Sequence, residues 1–271
     1  MESPKRQRGR PKSFSDKTGE ARIQSLDRAL DVLGTVAAGS GLTLTEIADD
    51  LGQSPATIYR ILTTFAARGA LEIDPATQEW FVGPSSFRIG SAFLRRSGMV
   101  ERARPMMRSL MVETGETANL GVENDGQVLF LSQVETHENI RAFFPPGAQS
   151  PMHASGIGKA LLAHADPDHI ERYIKRRTLT RFTQNTISDQ DMLRAEMLRI
   201  KRQGYAFDDE EKSIGMRCVA APVFNNFGET VAGISISGPS ARLTLDRIEA
   251  VSQVVIEQAR ALSQSLGYEG G

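Results

Sequence analysis

The chain has 271 residues, of which 40 % are apolar and 24 % charged. This composition excludes a disordered or fibrous protein and suits a small domain followed by a larger one. The 32 basic and 33 acidic residues nearly cancel, so a surface that coats nucleic acid all over is excluded. The single cysteine, Cys218, excludes an internal disulfide, and one Cys with four scattered His cannot form a Cys/His zinc site of the usual spacing. We therefore expect no metal and no cofactor.

Residues 1–20 are rich in Lys, Arg, Gly, Pro and Ser and predict a flexible basic arm. Arg8 and Arg10 are its candidate contacts to DNA phosphates or the minor groove, and the alternative is a plain solubilising tail. No apolar stretch follows the cations, as a signal peptide would require. The longest apolar runs also fall far short of the ~20 residues that span a bilayer. We expect a cytoplasmic protein without a membrane partner.

The segment 21–84 has the pattern of a winged helix-turn-helix. Its first helix is predicted to follow a possible N-cap at Ser25. Four apolar residues at helical spacing are expected to form its buried face: Leu26, Ala29, Leu30 and Leu33.

Two further short helices follow, separated by a tight turn. Thr43 stands three residues before Glu46, which predicts a capping box, and Gly52 ends this second helix. Ser54 is a natural N-cap with Pro55 at the first helical position of the third helix. The arrangement is typical of a helix-turn-helix, whose second helix enters the major groove.

The third helix has an apolar stripe and a polar face. Its buried residues are expected to be Ile58, Ile61, Leu62 and Phe65. Short β-prone stretches at 71–73 and 80–82 predict the wing. An isolated polar face would be an ordinary solvated one, but caps, turn, wing and basic arm all agree on a DNA-binding module. The candidate DNA contacts besides the arm are Thr43, Ser54, Ala56, Thr57, Tyr59, Arg60 and Thr63.

A linker helix is predicted over 85–98 and a second domain over 99–271. This domain begins with an amphipathic, Met-rich helix that ends at Gly115, and its Met residues are expected to be core filler. The turn Asn124-Asp125-Gly126 predicts a hairpin. Further strands and helices predict an α+β domain around an antiparallel sheet. The expected helices are 168–174, 188–203 and 245–262, and the expected strands are 117–122, 128–134, 218–224 and 230–237.

A candidate ligand site begins with the sequence HASGIGK at 153–159, which opens a helix. Helix N-termini expose unpaired N–H groups and a positive dipole end, which suits a carboxylate. A nucleotide P-loop is rejected because His153 stands where Gly is needed and Ala160 replaces the Ser or Thr that holds magnesium. Ser235 and Ser237 lie on one face of a strand, where they bind either backbone and water or a shared ligand.

Cys218 has two interpretations. A lone Cys before an apolar run is more often buried packing than chemistry. The alternative is a cysteine hydrolase with Cys218 as nucleophile, His153 as base and Asp208 as orienter. Cys218 begins a predicted strand rather than a helix, so no helix dipole would lower its pKa.

Six stretches together resemble the isocitrate lyase regulator (IclR) family. They are LTEIA at 44–48, TIYRIL at 57–62, HASGIGK at 153–159, GYAFDDEE at 204–211, CVAAPV at 218–223 and SISGP at 235–239. The resemblance covers nearly all of the chain beyond the basic arm. It implies a winged helix-turn-helix joined to a GAF-like effector domain, in dimers or tetramers that bind palindromic operator DNA.

The resemblance further implies a transcription regulator, not an enzyme, that senses a small organic acid. In members that sense glyoxylate or pyruvate, the effector is held by the helix start, an Asp, a Cys and two strand serines. The matching residues here are Gly156, Ile157, Asp208, Cys218, Ser235 and Ser237. We expect a small 2-oxo acid, glyoxylate or pyruvate, as effector. The alternatives are the cysteine hydrolase and a metabolite sensor that does not bind DNA.

Overall fold

A computed structural model of the chain describes residues 23–270, except for the side chains of 94–97. The predicted basic arm, with Arg8 and Arg10, lies outside the described residues. The described residues divide into two compact units, with the boundary between residues 93 and 94. The division falls within the helix that follows the wing. Among residues 23–270, no helix is both long and apolar enough to cross a membrane.

The described part of the N-terminal unit contains three complete helices, the first part of a fourth, and a small sheet with the strand order β1-β3-β2. Its elements are α1 (Gln24–Ala38), β1 (Leu42–Thr43), α2 (Leu44–Asp50), α3 (Pro55–Ala67), β2 (Leu71–Ile73) and β3 (Glu79–Val82), followed by α4 (Pro84–Ser97), which continues past the division. The winged helix-turn-helix and the helix after the wing are therefore confirmed. The two-residue strand β1 is too short to have a sequence pattern.

The predicted helix caps are present. The Thr43 N–H donates to the Glu46 carboxylate at 2.8 Å, and the Glu46 N–H donates to Thr43 Oγ1 at 3.4 Å. Ser54 Oγ accepts the Thr57 N–H at 3.3 Å, with Pro55 in the first turn of α3. These local bonds satisfy amide groups that a helix start leaves without an internal partner.

The predicted buried face of α1 was only partly right. Leu33 packs on the core and Ala29 is half-buried, but Leu26 and Leu30 are 58 % and 62 % exposed. The buried stripe is rotated towards Val32 and Val36. The helix also has Ile23, not Ser25, at its N-cap, without a side-chain bond. Adjacent sides of α1 are apolar, so spacing alone could not fix the centre of the buried stripe. The selection is made by β3 and α2, which pack on the valine side.

The C-terminal unit is built on one antiparallel sheet with the strand order β6-β5-β4-β9-β8-β7. Its elements are α5 (Met99–Thr114), β4 (Thr117–Asn124), β5 (Gln127–Val134), β6 (Gln149–Pro151), α6 (Gly156–Ala163), α7 (Pro167–Arg176), α8 (Gln190–Gln203), β7 (Ala206–Asp209), β8 (Met216–Phe224), β9 (Thr230–Pro239) and α9 (Ile248–Ser265). The α+β class is confirmed, whereas the edge strands β6 and β7 were missed. The likeness to GAF domains stays a prediction.

Helices cover both faces of this sheet. Met107 of α5 and Val255 of α9 pack on one face with Ile234 and Ile236, and the Met-rich helix is core filler as expected. The other face is covered by α6 and α8, with Ile157 in its core. Because strand side chains alternate between faces, the serines of β9 lie on the α6 side.

The hairpin between β4 and β5 is also confirmed. Asp125 and Gly126 have φ values of 47° and 67°. Two successive residues with positive φ match the right-handed twist of the strands that they join.

Candidate effector site and DNA-binding surface

The strand register places three of the predicted effector residues in one row across the sheet. Asp208 of β7 pairs with Cys218 of β8, which pairs in turn with Ser237 of β9. Side chains of directly opposed residues lie about 5 Å apart on the same face. In the next row, Ser235 stands between Ala220 and Asn119.

Helix α6 begins directly above these rows. Ser155 caps the helix by accepting the Gly158 N–H at 3.4 Å. A Cβ at Gly156 would stand 2.8 Å from Cys218 Sγ, and a Cβ at Gly158 would overlap the backbone of Met152. The two glycines therefore allow the helix start to approach the sheet closely.

A cavity of about 30 Å³ lies between this helix start and the sheet. Since one water needs roughly 10–15 Å³ by the same kind of measure, the space suits a ligand of only a few heavy atoms. All six predicted effector residues line it. The full lining is Phe130, Phe144, Ser150, Ala154, Ser155, Gly156, Ile157, Asp208, Lys212, Ser213, Met216, Cys218, Ser235 and Ser237.

Asn119 of β4 orients the two serines and was missed by the sequence reasoning. Its Nδ2 donates to Ser237 Oγ at 3.2 Å and to Ser235 Oγ at 3.5 Å, while its Oδ1 accepts from Gln133 Nε2 at 3.0 Å. Because both serine oxygens accept from the amide, their hydroxyl hydrogens can donate towards Cys218 Sγ or towards a ligand in the cavity. The available signal was a polar residue between Ala118 and Leu120, in the part of the strand that is buried.

The acid and the thiol in the cavity are shifted towards their neutral forms. Burial raises the pKa of the Asp208 carboxyl to about 6, although Lys159 opposes the shift. Burial, with Asp208 adding to it, raises the pKa of the Cys218 thiol to about 12, and the serine hydroxyls only partly oppose it. Cys218 is therefore a neutral thiol at physiological pH and a poor nucleophile.

His153 is not placed to act as a base for Cys218. Its Nδ1 lies 3.3 Å from the Tyr173 hydroxyl, and its Nε2 lies 3.0 Å from the Thr180 carbonyl oxygen. Burial lowers the pKa of His153, although the Thr180 carbonyl opposes the shift. His153 is also absent from the cavity lining. The nucleophile and base pair of the hydrolase alternative is therefore not formed in the described structure.

Lys159, at the end of the GIGK sequence, lies under the site rather than in it. Its side chain is wholly buried, donates to the Phe207 carbonyl at 2.6 Å and pairs with Glu196 at 3.3 Å and with Glu211. Burial opposes the charge of Lys159, but Glu211, Glu196 and Asp208 outweigh burial and raise its pKa. The lysine therefore ties α6 to β7 and the segment that follows it.

The outward face of α3 is the candidate DNA surface. Ala56, Tyr59 and Arg60 are exposed. The hydroxyls of the other candidates mostly serve the helices themselves: Thr63 donates to the Tyr59 carbonyl at 2.9 Å, and Thr57 shares a hydrogen bond with the N-cap Ser54 at 2.9 Å. Thr43 is bonded to Glu46 in the cap of α2. Tyr59 and Arg60 are thus the long side chains available to reach bases or phosphates.

Comparison with known proteins assigns both units to one family. A model of the IclR helix-turn-helix domain matches residues 25–75, and a model of the C-terminal part of the bacterial transcriptional regulator IclR matches residues 91–264. The chain is 56 % identical to the HTH-type transcriptional regulator BhcR of Paracoccus denitrificans, over 95 % of this chain and 94 % of that protein. It is 34 % identical to the transcriptional repressor IclR of Escherichia coli, over 96 % of each.

Solved structures show the same fold. The crystal structure of Thermotoga maritima IclR superposes with a TM-score of 0.75 at 29 % identity, covering 91 % of this chain and all of that one.

Proposed function

Because the chain belongs to the IclR family of bacterial DNA-binding transcriptional regulators, we propose that it controls a metabolic operon in response to a small 2-oxo acid, most simply glyoxylate. The observation that supports this effector is the single small cavity in which the helix start, two donating serines and Asp208 converge. A volume of about 30 Å³ favours a two-carbon acid, and pyruvate adds one methyl group.

In the proposed complex, the carboxylate accepts hydrogen bonds from the Gly156 and Ile157 N–H groups at the positive end of α6. It also accepts from the hydroxyls of Ser235 and Ser237, which Asn119 leaves free to donate. Asp208 and the neutral Cys218 thiol face the carbonyl or its hydrate. At neutral pH the hydrated aldehyde donates to the Asp208 carboxylate.

The test of the effector is a titration of the full chain with glyoxylate and with pyruvate, followed by calorimetry and melting temperature. A ligand at a hundred times its Kd should stabilise the protein by about 2.7 kcal/mol. The variant Ser235→Ala/Ser237→Ala should lose this response, whereas Ser240→Ala, outside the cavity lining, should keep it. An absent response, or one that survives the double substitution, would refute the proposed site.

For DNA, we propose that α3 of each protomer in a dimer or tetramer enters the major groove of one half-site. Half-sites of a dimer would then lie about 34 Å apart, one helical turn. A protein that acts on the chromosome in this way works in the cytoplasm. Footprinting on the upstream region of its own gene, with and without glyoxylate, tests the assignment. A metabolite sensor that acts without DNA would leave no footprint.

A further inference from the structure

Lys212 supplies a positive charge to the cavity. Among the described residues that line it, Lys212 is the cation and Asp208 the carboxylic acid. Lys212 is half-buried, and its Nζ donates to the Ser150 hydroxyl at 3.1 Å. The neighbouring Lys159 is absent from the lining and is already paired with acids.

The position of Lys212 brings opposite edges of the sheet together. Lys212 follows β7, which is one edge strand, and Ser150 belongs to β6, which is the other. Six strands laid flat would hold these edges roughly 24 Å apart, far beyond the reach of a lysine. The sheet therefore curls around the cavity, and the Lys212–Ser150 hydrogen bond crosses its open side.

A bound carboxylate would need this charge. The start of α6 offers only about half a positive charge, and an anion removed from water is costly unless it is paired. Burial lowers the pKa of Lys212 while Asp208 opposes the shift, so a second nearby anion would also favour the charged amine. In a cavity of about 30 Å³, any ligand lies close to every group of the lining.

We propose that Lys212 is the charge-selecting residue of the site: its Nζ exchanges the Ser150 hydroxyl for the carboxylate of the effector. The cavity then accepts small monoanions and rejects uncharged molecules of the same size. This inference rests on the proposed function, and it adds a ligand contact to the six residues named from the family resemblance.

The test compares glyoxylate with glycolaldehyde, an uncharged two-carbon aldehyde with one oxygen fewer, by calorimetry on the full chain. Lys212→Met removes the charge and should raise the Kd for glyoxylate by at least about tenfold, the usual loss for a hydrogen bond to a charged group. Lys212→Arg should retain the preference for the anion. Ser150→Ala removes the hydrogen bond across the cavity without removing the charge and should also retain that preference. Lys175→Met, on an exposed lysine of α7, is the matched control.

The outcomes separate the two claims. If the wild type binds glyoxylate and Lys212→Met binds it equally well, the charge-selecting role is wrong and the effector assignment survives. If the wild type binds no small 2-oxo acid, both the proposed function and this inference are wrong. Equal melting temperatures of the ligand-free wild type and Lys212→Met show that this variant is folded. If Lys212→Met is not folded, the ratio of glyoxylate to glycolaldehyde affinity is measured in Lys212→Arg instead.

Discussion

Replacement of Lys159 by Met tests whether the buried charges under α6 hold the effector domain together. The substitution nearly keeps the length of the side chain but leaves Glu211 and Asp208 without a buried cation beside them, whereas Glu196 keeps its ion pair with Arg199. Removal of one partner from a buried ion pair costs about 3–5 kcal/mol, because the remaining charge is uncompensated. For a unit of this size, that loss lowers the melting temperature by roughly 6–20 °C. Scanning calorimetry measures it, with the exposed Lys175→Met as control.

The loss in free energy of unfolding caused by Lys159→Met should depend on pH. Burial raises the pKa of Asp208 to about 6 from 3.8 and that of Glu211 to about 7 from 4.5. The folded state therefore binds these protons more tightly than the unfolded state, so their contribution to stability is complete below about pH 4 and is lost as pH rises through 6 to 7. Without Lys159 both values rise further. The loss of stability caused by Lys159→Met should therefore be small at about pH 5 and clearly larger at about pH 8, because it grows as pH rises from the values of the wild type towards the higher values of the variant. An equal loss at both pH values would refute this account.

Four further predictions concern DNA and the effector cavity. Arg60→Ala should weaken specific operator binding by roughly 10- to 100-fold. Deletion of residues 2–12 should weaken binding to all DNA sequences and flatten its salt dependence. Gel shifts at several salt concentrations measure both effects, and an unchanged salt dependence after the deletion would show that the arm does not contact DNA. Asn119→Asp should weaken glyoxylate binding in calorimetry, because a carboxylate accepts the serine protons that Asn119 leaves for the ligand; an unchanged Kd would contradict the proposed orientation. Gly156→Val should abolish the glyoxylate response but not the gel shift, because its Cβ would stand 2.8 Å from Cys218 Sγ; a full response would place the effector elsewhere.

Features that depend on neighbours along the chain were predictable. The capping box of Thr43, the N-cap Ser54 and the turn at Asp125 each use bonds or dihedral angles within a few residues. The shared face of Ser235 and Ser237 follows from strand alternation alone. These patterns gave the helix-turn-helix and one wall of the cavity.

Features that depend on distant parts of the chain were not predictable. The buried side of α1 is chosen by elements that follow it, and the edge strands β6 and β7 are too short to show alternation. Asn119 becomes part of the site only because β4 pairs with β9, more than 100 residues later. Lys159 belongs to the sequence that was predicted to bind a carboxylate, but it contacts acids of other elements. Such roles require the strand register and the packing of α6, neither of which is local.

The neutral thiol of Cys218 in the cavity determines how the protein should respond to oxidants. With the pKa of Cys218 at about 12, the reactive thiolate makes up on the order of 10⁻⁵ to 10⁻⁴ of the molecules near neutral pH. Peroxide attacks the thiolate, so Cys218 should be oxidised very slowly. The proposed response to the effector would therefore persist during oxidative stress, because the only sulfhydryl of the chain would stay reduced.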